Sequence, residues 1–243
     1  MPLSDDDHSG VAFRARAQPA SDRSADPLLA VDEVSKWWPG RAEPTLDRLD
    51  LELDAGDVVA VSGRNGAGKT TLLRIIGGLV APDRGGVQIA GIPLGTDRRA
   101  YQREIGLLTP GDRGLYARVS VQRNLDLWAR LALLRADARD DAMRYCYARF
   151  ELEELGDVRV DRLSMGQRQR VRLAMAFMHS PRLVLLDEPA TSLDAPALEL
   201  LRGAVDDLVS RGGACLAVAP EGADTGLARA TQFTLRQGRL EAT

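Results

Sequence analysis

Between a short β-branched run and an apolar helix stands Gly63-Arg64-Asn65-Gly66-Ala67-Gly68-Lys69-Thr70, a full match to G-x-x-x-x-G-K-[ST]. This pattern constrains the fold more tightly than any other feature of the chain. Its glycines let successive backbone N–H groups turn toward one anion, and the helix that follows adds the positive end of its dipole. Such a loop needs a strand before it and a helix after it. The run VVAVS reads as a strand buried on both faces, and KTTLLRIIGGL reads as the helix, with Thr71 in its first turn. Lys69 is placed to reach β- and γ-phosphates, and the Thr70 hydroxyl is placed to ligate Mg²⁺. Of 32 basic residues only Lys36 and Lys69 are lysine. A chain that uses arginine almost everywhere else keeps a lysine at the position the loop requires.

A second run, Leu183-Val-Leu-Leu-Asp187-Glu188-Pro189, ends in two carboxylates. A buried strand would deliver Asp187 at its carboxyl end beside the phosphate loop, where it can hold Mg²⁺ through water. Glu188 could then polarise an attacking water. Taken alone the run is a weak signal, because many strands end in acidic turns. Beside the phosphate loop it is a strong one.

The rest of the chain fits around these two strands. Residues 1–27, rich in Asp, Ser, Ala, Arg and Pro, read as a disordered tail. From Leu28, LLAVDEV and LDLELDAG read as strands with a turn at Ala55-Gly56, and GGVQIAG as another strand. From about residue 106 to 170 the character turns helical, with Val121, Leu125, Trp128 and Ala132 at helical spacing. LVLLDEP, ACLAVAP and TQFTLRQG return to strand, and a helix is expected over 195–210 between the first two. The polar run QRQRVR reads as a solvated helix face, Trp128 as core, and Cys146 and Cys215 as buried spectators.

Between the phosphate loop and the Asp-Glu run lies Leu163-Ser164-Met165-Gly166-Gln167. Here the chain resembles the nucleotide-binding subunit of ATP-binding-cassette (ABC) transporters, whose signature is LSGGQ; Met165 replaces its first glycine. Ser192-Leu193-Asp194 resembles the family's D-loop, and VSKWW resembles the segment whose aromatic residue stacks on adenine. The resemblance covers about residues 28–240, with the motifs in the family's order. It implies one domain over 28–243: an α/β P-loop NTPase (RecA-like) core, an antiparallel β-subdomain and an inserted α-helical subdomain. It also implies that two cassettes, as a homodimer or a heterodimer, sandwich ATP and Mg²⁺. Ser164 and Gly166 would then donate to the γ-phosphate held by the other chain, with Gln167 and Asp194 in the same motifs. Trp38 falls where the family has its aromatic residue; Trp37 is the other candidate.

Two departures stand against these matches. The family's glutamine at the start of the helical block has no counterpart between Gln102 and Gln122. Asp112 is the nearest polar candidate, ahead of Thr109. The family's histidine after the penultimate core strand is also missing, and Pro220 stands where it is expected. The histidines are His8, in the tail, and His179, which reads as a helix C-terminal residue favoured by the dipole.

Composition narrows the partners. A net charge of −3 gives no basic field, so nucleic acid is not expected to bind. Two cysteines exclude a disulfide framework or a Cys-rich zinc site. The longest apolar stretches fall far short of the ~20 residues of a spanning helix, and MPLSDDDHSG lacks the basic start of a secretory signal. The resemblance therefore implies a peripheral ATPase on the cytoplasmic side of the membrane that energises a separate transmembrane permease subunit. GLYARVSVQRNL resembles family members serving exporters. The alternatives are a soluble ABC ATPase acting on ribosomes or chromosomes, and a nucleotide-gated clamp that hardly hydrolyses ATP.

Overall fold

The computed structural model describes residues 15–16, 26–111, 114–227 and 229–243. Its centre is a six-stranded sheet in the order β11-β10-β4-β9-β8-β7. The members are β4 (Val58–Gly63), β7 (Ile105–Leu108), β8 (Leu183–Asp187), β9 (Ala214–Pro220), β10 (Thr231–Arg236) and β11 (Arg239–Ala242). All neighbours run parallel except the β10–β11 hairpin at one edge. Strands buried on both faces explain the near-continuous apolar runs of the sequence.

The alternation of side chains divides the interior in two. Leu183, Leu185, Leu216 and Val218 face one core, shared with the second sheet and with α1 (Lys69–Ile76). Val184, Leu186, Cys215 and Ala217 face the other. That second core is completed by α3 (Val121–Leu131), α4 (Ala136–Phe150), α5 (Met165–Phe177) and α6 (Ala195–Ser210). Both cysteines are buried and free.

The second sheet has the order β1-β3-β2-β5-β6. Its strands are β1 (Ala15–Arg16), β2 (Leu29–Lys36), β3 (Leu46–Leu53), β5 (Arg84–Ile89) and β6 (Ile92–Pro93). Pairing is antiparallel from β3 to β6. The architecture is thus α/β, with an antiparallel β-layer on one face of a parallel core and a helical block on the other.

Two boundaries differ from the sequence reading, and the tryptophan pair lies off the strands. Ala15–Arg16, within the expected tail, pair in parallel with Leu51 and Glu52 of β3, and Ala15 is fully buried. The rest of residues 1–25 lies outside the described residues. Residues 105–108 form β7 rather than opening the helical block, because Leu107 and Leu108 pair with Leu185 and Leu186. Trp37 and Trp38 follow β2 in a loop, so no strand alternation orients them.

Candidate nucleotide site

The phosphate loop leaves the carboxyl end of β4 and enters α1, between β9 and β10 on either side. Two of its glycines are dictated by their neighbours. A Cβ on Gly63 would lie 2.7 Å from the Leu235 carbonyl oxygen. Gly68 caps α1 at a φ of 111°, and a Cβ there would meet the Thr45 carbonyl oxygen at 2.8 Å. The loop is closed internally by the Ala67 N–H donating to the Arg64 carbonyl.

Lys69 is almost wholly buried and bends back over the loop. Its Nζ donates to the carbonyl oxygens of Gly63 at 2.6 Å and Arg64 at 3.1 Å. Burial pulls its pKa below the ordinary lysine value, and the charges of Glu188, Asp187 and Glu221 partly offset that pull. Asp187 ends β8 and is also buried. Burial raises its carboxyl pKa; the hydrogen bond from Thr70 opposes the rise, and neighbouring Glu188 adds to it. A positive phosphate-loop lysine, a hydroxyl and two carboxylates therefore share one small region.

A cavity of 580 Å³ opens over these groups. Its walls are Trp38, Arg41, Thr45, Asn65, Gly66, Gly68, Lys69, Thr70, Thr71 and Glu188. Trp38 is therefore brought to the site and Trp37 is not. Trp37 is held elsewhere: its backbone N–H donates to Asp83 at 2.7 Å, and the Arg84 guanidinium lies 5.5 Å from its ring centroid. The ammonium of Lys36 lies 5.4 Å from the Trp38 ring while bonded to Asp83.

Glu188 lines this cavity and a second one of 350 Å³, together with Pro110, Met165, Gln169, Arg172, Asp187 and Ser192 among others. Its backbone adopts φ 54°, a left-handed conformation that costs a non-glycine residue about 1–3 kcal/mol. Its N–H donates to the Val218 carbonyl at 2.8 Å, which holds the turn after β8 against β9.

The remaining motif residues stand apart from the nucleotide cavity of their own chain. Ser164 caps α5 reciprocally with Gln167: the Gln167 N–H donates to the Ser164 hydroxyl at 3.1 Å, and the Ser164 N–H to the Gln167 side chain at 2.9 Å. A Cβ on Gly166 would come 3.1 Å from the Ser192 carbonyl oxygen. Asp194 caps α6, accepting from the Ala197 N–H at 3.0 Å.

Several polar residues behave otherwise than the sequence suggested. The run QRQRVR is no solvated face throughout: Gln169 and Arg172 are buried. Gln169 Nε2 donates to the Pro189 carbonyl at 3.0 Å, and Arg172 donates to Gln169 Oε1 at 2.5 Å and to the Thr109 carbonyl. The dipole does not govern His179 either; burial lowers its pKa, with Nε2 2.9 Å from the Ile105 carbonyl oxygen. Asp112 lies outside the described residues. Pro220 stands opposite Gly63 in the β4–β9 pairing, beside the phosphate loop.

Comparison with known proteins bears on this arrangement. The ABC transporter family profile matches residues 46–191, more than half of the chain. The ABC transporter ATP-binding protein NatA of Bacillus subtilis is 34% identical over 160 residues, covering 66% of this chain and 65% of NatA. The taurine import ATP-binding protein TauB of Mesorhizobium japonicum is 32% identical over 213 residues, covering 86% and 79%. The cytochrome c biogenesis ATP-binding export protein CcmA of Pseudomonas fluorescens is 38% identical over 167 residues, covering 69% and 77%. Among solved structures, the dimeric ATP-binding cassette MJ0796 in a post-hydrolysis state with ADP and Pi superimposes with a TM-score of 0.77 at 26% identity, covering 88% of this chain and 96% of that one. Relatives named for import and relatives named for export are alike similar to this chain, and the chain belongs to the ABC transporter family as an ATP-binding ABC ATPase cassette.

Proposed function

We propose that this chain binds and hydrolyses Mg-ATP and passes the resulting motion to a separate membrane-spanning subunit. One observation carries the reading: Trp38, the Gly66–Thr71 end of the phosphate loop and Glu188 wall a single cavity, with Asp187 hydrogen-bonded to Thr70 beside it. Adenine stacks on Trp38, and the loop N–H groups of residues 63–69 cradle the β- and γ-phosphates. Lys69 leaves the Gly63 and Arg64 carbonyls to meet them.

The donor set suits Mg²⁺. It offers one carboxylate and one hydroxyl, and this hard cation completes its shell with phosphate oxygens and water. Thr70 and Asp187 would hold the ion, which supplies charge neutralisation on the phosphates. Glu188 orients the water that attacks the γ-phosphorus and accepts its proton, while the bond from that phosphorus to the β,γ-bridging oxygen breaks, giving ADP and inorganic phosphate.

Ser164, Gly166 and Gln167 lie outside their own chain's cavity, which supports a role in the site of a second cassette, in a homodimer or heterodimer. The GLYARVSVQRNL stretch supports export as the direction. Among the described residues no helix is long and apolar enough to cross a membrane; in this reading the spanning subunit is a separate partner and the chain works peripherally, on its cytoplasmic face. The net charge of −3 supports no nucleic-acid partner. Pro220 favours a second reading, a clamp that closes on ATP and hydrolyses it slowly.

Purification from detergent-solubilised membranes, followed by Mg-ATPase assay, tests the proposal. A membrane-spanning partner and ATP turnover are expected together. Recovery with ribosomes or chromosomes instead would overturn the transporter reading.

A further inference from the structure

Arg172 occupies an unusual place. Two cavities meet at it: the one holding Asp187 and Glu188, and an apolar surface groove of 460 Å³ that includes Leu79, Trp128, Leu131 and Leu133. Among the described residues it alone lines both. Leu79, Leu131 and Leu133 are more than half exposed, whereas Arg172 is 8% exposed.

Burying a guanidinium is costly unless its donors are satisfied. Here the fork is used to span. One amino group donates to the carbonyl of Thr109, the residue that leaves β7. The other donates to Gln169 Oε1, and Gln169 Nε2 donates in turn to the carbonyl of Pro189. The chain of bonds runs from the wall of the groove to the residue after Glu188. At its outer end, Gly111 and Gly114 both adopt positive φ. The turn at its inner end holds Glu188 in a conformation it would not keep unaided.

We propose that Arg172 is a positioning residue for hydrolysis: through Gln169 it fixes the turn that aims Glu188, and through Thr109 it ties that turn to the end of β7. No glutamine stands between Gln102 and Gln122, and the amide facing the carboxylate cavity comes from helix α5 instead, through Gln169. The inference rests on the hydrolytic reading above. It goes beyond that reading by assigning a role to two side chains that do not touch the nucleotide cavity. Lysine is not expected to replace the arginine, because an ammonium lacks the planar fork whose two amino groups point at separate acceptors.

The test uses the full chain and its variants Arg172→Met, Arg172→Lys, Gln169→Leu and the double variant Arg172→Met/Gln169→Leu. ATP binding, steady-state and single-turnover hydrolysis, and melting temperature are measured on each. Each single variant is expected to lower kcat by about tenfold or more while KM and ATP affinity stay within about threefold. The double variant is expected to be no slower than the worse single one, since the two side chains act as one unit. Amide hydrogen exchange over residues 105–111 and 187–192 is expected to speed up in the same variants. Unchanged kcat, or single effects that multiply in the double variant, would overturn the inference while leaving ATP hydrolysis standing. A fall in kcat that follows melting temperature, with no local change in exchange, would make Arg172 merely structural and overturn it too. A wild type that binds ATP without turning it over would overturn the hydrolytic reading and this inference with it.

Discussion

Gly63 and Pro220 stand directly opposite each other in the parallel pairing of β4 and β9. The pairing joins the start of the phosphate loop to the end of a core strand, and one carbonyl makes the junction. Gly63 O accepts from the Glu221 N–H at 3.0 Å and from Lys69 Nζ at 2.6 Å. If Lys69 swings toward phosphate as proposed, that carbonyl would keep the Glu221 N–H, so the loop would release its lysine without losing its anchor to β9.

Lys69→Ala is expected to lose ATP binding and hydrolysis while the fold remains. The ammonium is buried at a cost, as its lowered pKa indicates, so the melting temperature should hold or rise. Calorimetry and an ATP titration check both halves; wild-type affinity in the variant would remove Lys69 from the site.

Glu188→Gln keeps the shape of the turn and removes the carboxylate. Turnover is expected to fall about 10²–10⁴-fold while ATP binding persists, so closed dimers should accumulate on size exclusion with Mg-ATP. A variant no more dimeric than wild type would point to a different cassette as the natural partner.

Trp38→Ala is expected to weaken ATP binding by roughly tenfold or more, by analogy with base–aromatic stacking. Trp37→Ala should instead act on stability, since it removes the ring that packs with Arg84 while leaving the backbone N–H on Asp83. The two variants are separated by one nucleotide titration and one thermal melt. The opposite pattern would assign stacking to Trp37.

His179 gives the fold a pH dependence of definite sign. Burial holds its folded pKa below 6.5, so below that pH the unfolded chain binds a proton that the folded chain excludes. Its contribution is therefore fully present above pH 6.5 and shrinks as the pH falls toward the lowered value. His179→Gln, whose amide can still donate to the Ile105 carbonyl, should flatten the fall in stability between neutral pH and pH 5. Parallel denaturation curves for wild type and variant across that range would exclude the effect.

Much of this site was legible because its chemistry is local. Gly63 to Thr70 is one loop, and the strand before it and helix after it are contiguous with it. Asp187 and Glu188 needed the apolar run before them and the phosphate loop to give that run weight. Arg172 and Gln169 were not legible, because what buries them is distant: Thr109 lies 63 residues away and Pro189 lies 20 residues beyond Gln169. In sequence they are two more polar residues in an arginine-rich helix. Strand β7 escaped for a related reason, since four apolar residues beside a helical block carry no period that separates strand from helix. What makes them a strand is the edge of β8. His179 shows the same limit on charge: helix position suggests a favoured cation, and only the packing reveals that desolvation wins.

The last expectation concerns Pro220. The family resemblance places a histidine at this point, and a histidine there would have a ring N–H to offer the γ-phosphate or the attacking water. Proline has neither a side-chain donor nor a backbone N–H, and positioning contacts of this kind supply several kcal/mol of barrier reduction. The neighbouring Glu221 is a poor substitute. Its N–H is already committed to Gly63 O, its carboxylate lies 3.6 Å from Arg236, and an ionised carboxylate offers the phosphate no donor. In a homodimer both sites carry the defect; in a heterodimer a partner cassette could hydrolyse normally at its own site while this chain lends Ser164 and Gly166. The isolated chain is therefore expected to turn over well below the ~10 s⁻¹ median of enzymes, and Pro220→His to raise kcat with little change in ATP affinity. Steady-state ATPase rates of wild type, Pro220→His and Glu188→Gln at saturating Mg-ATP decide the matter. Ordinary wild-type turnover, abolished by Glu188→Gln and not raised by Pro220→His, would mean that Glu188 and its supports suffice to orient the water without a donor from β9.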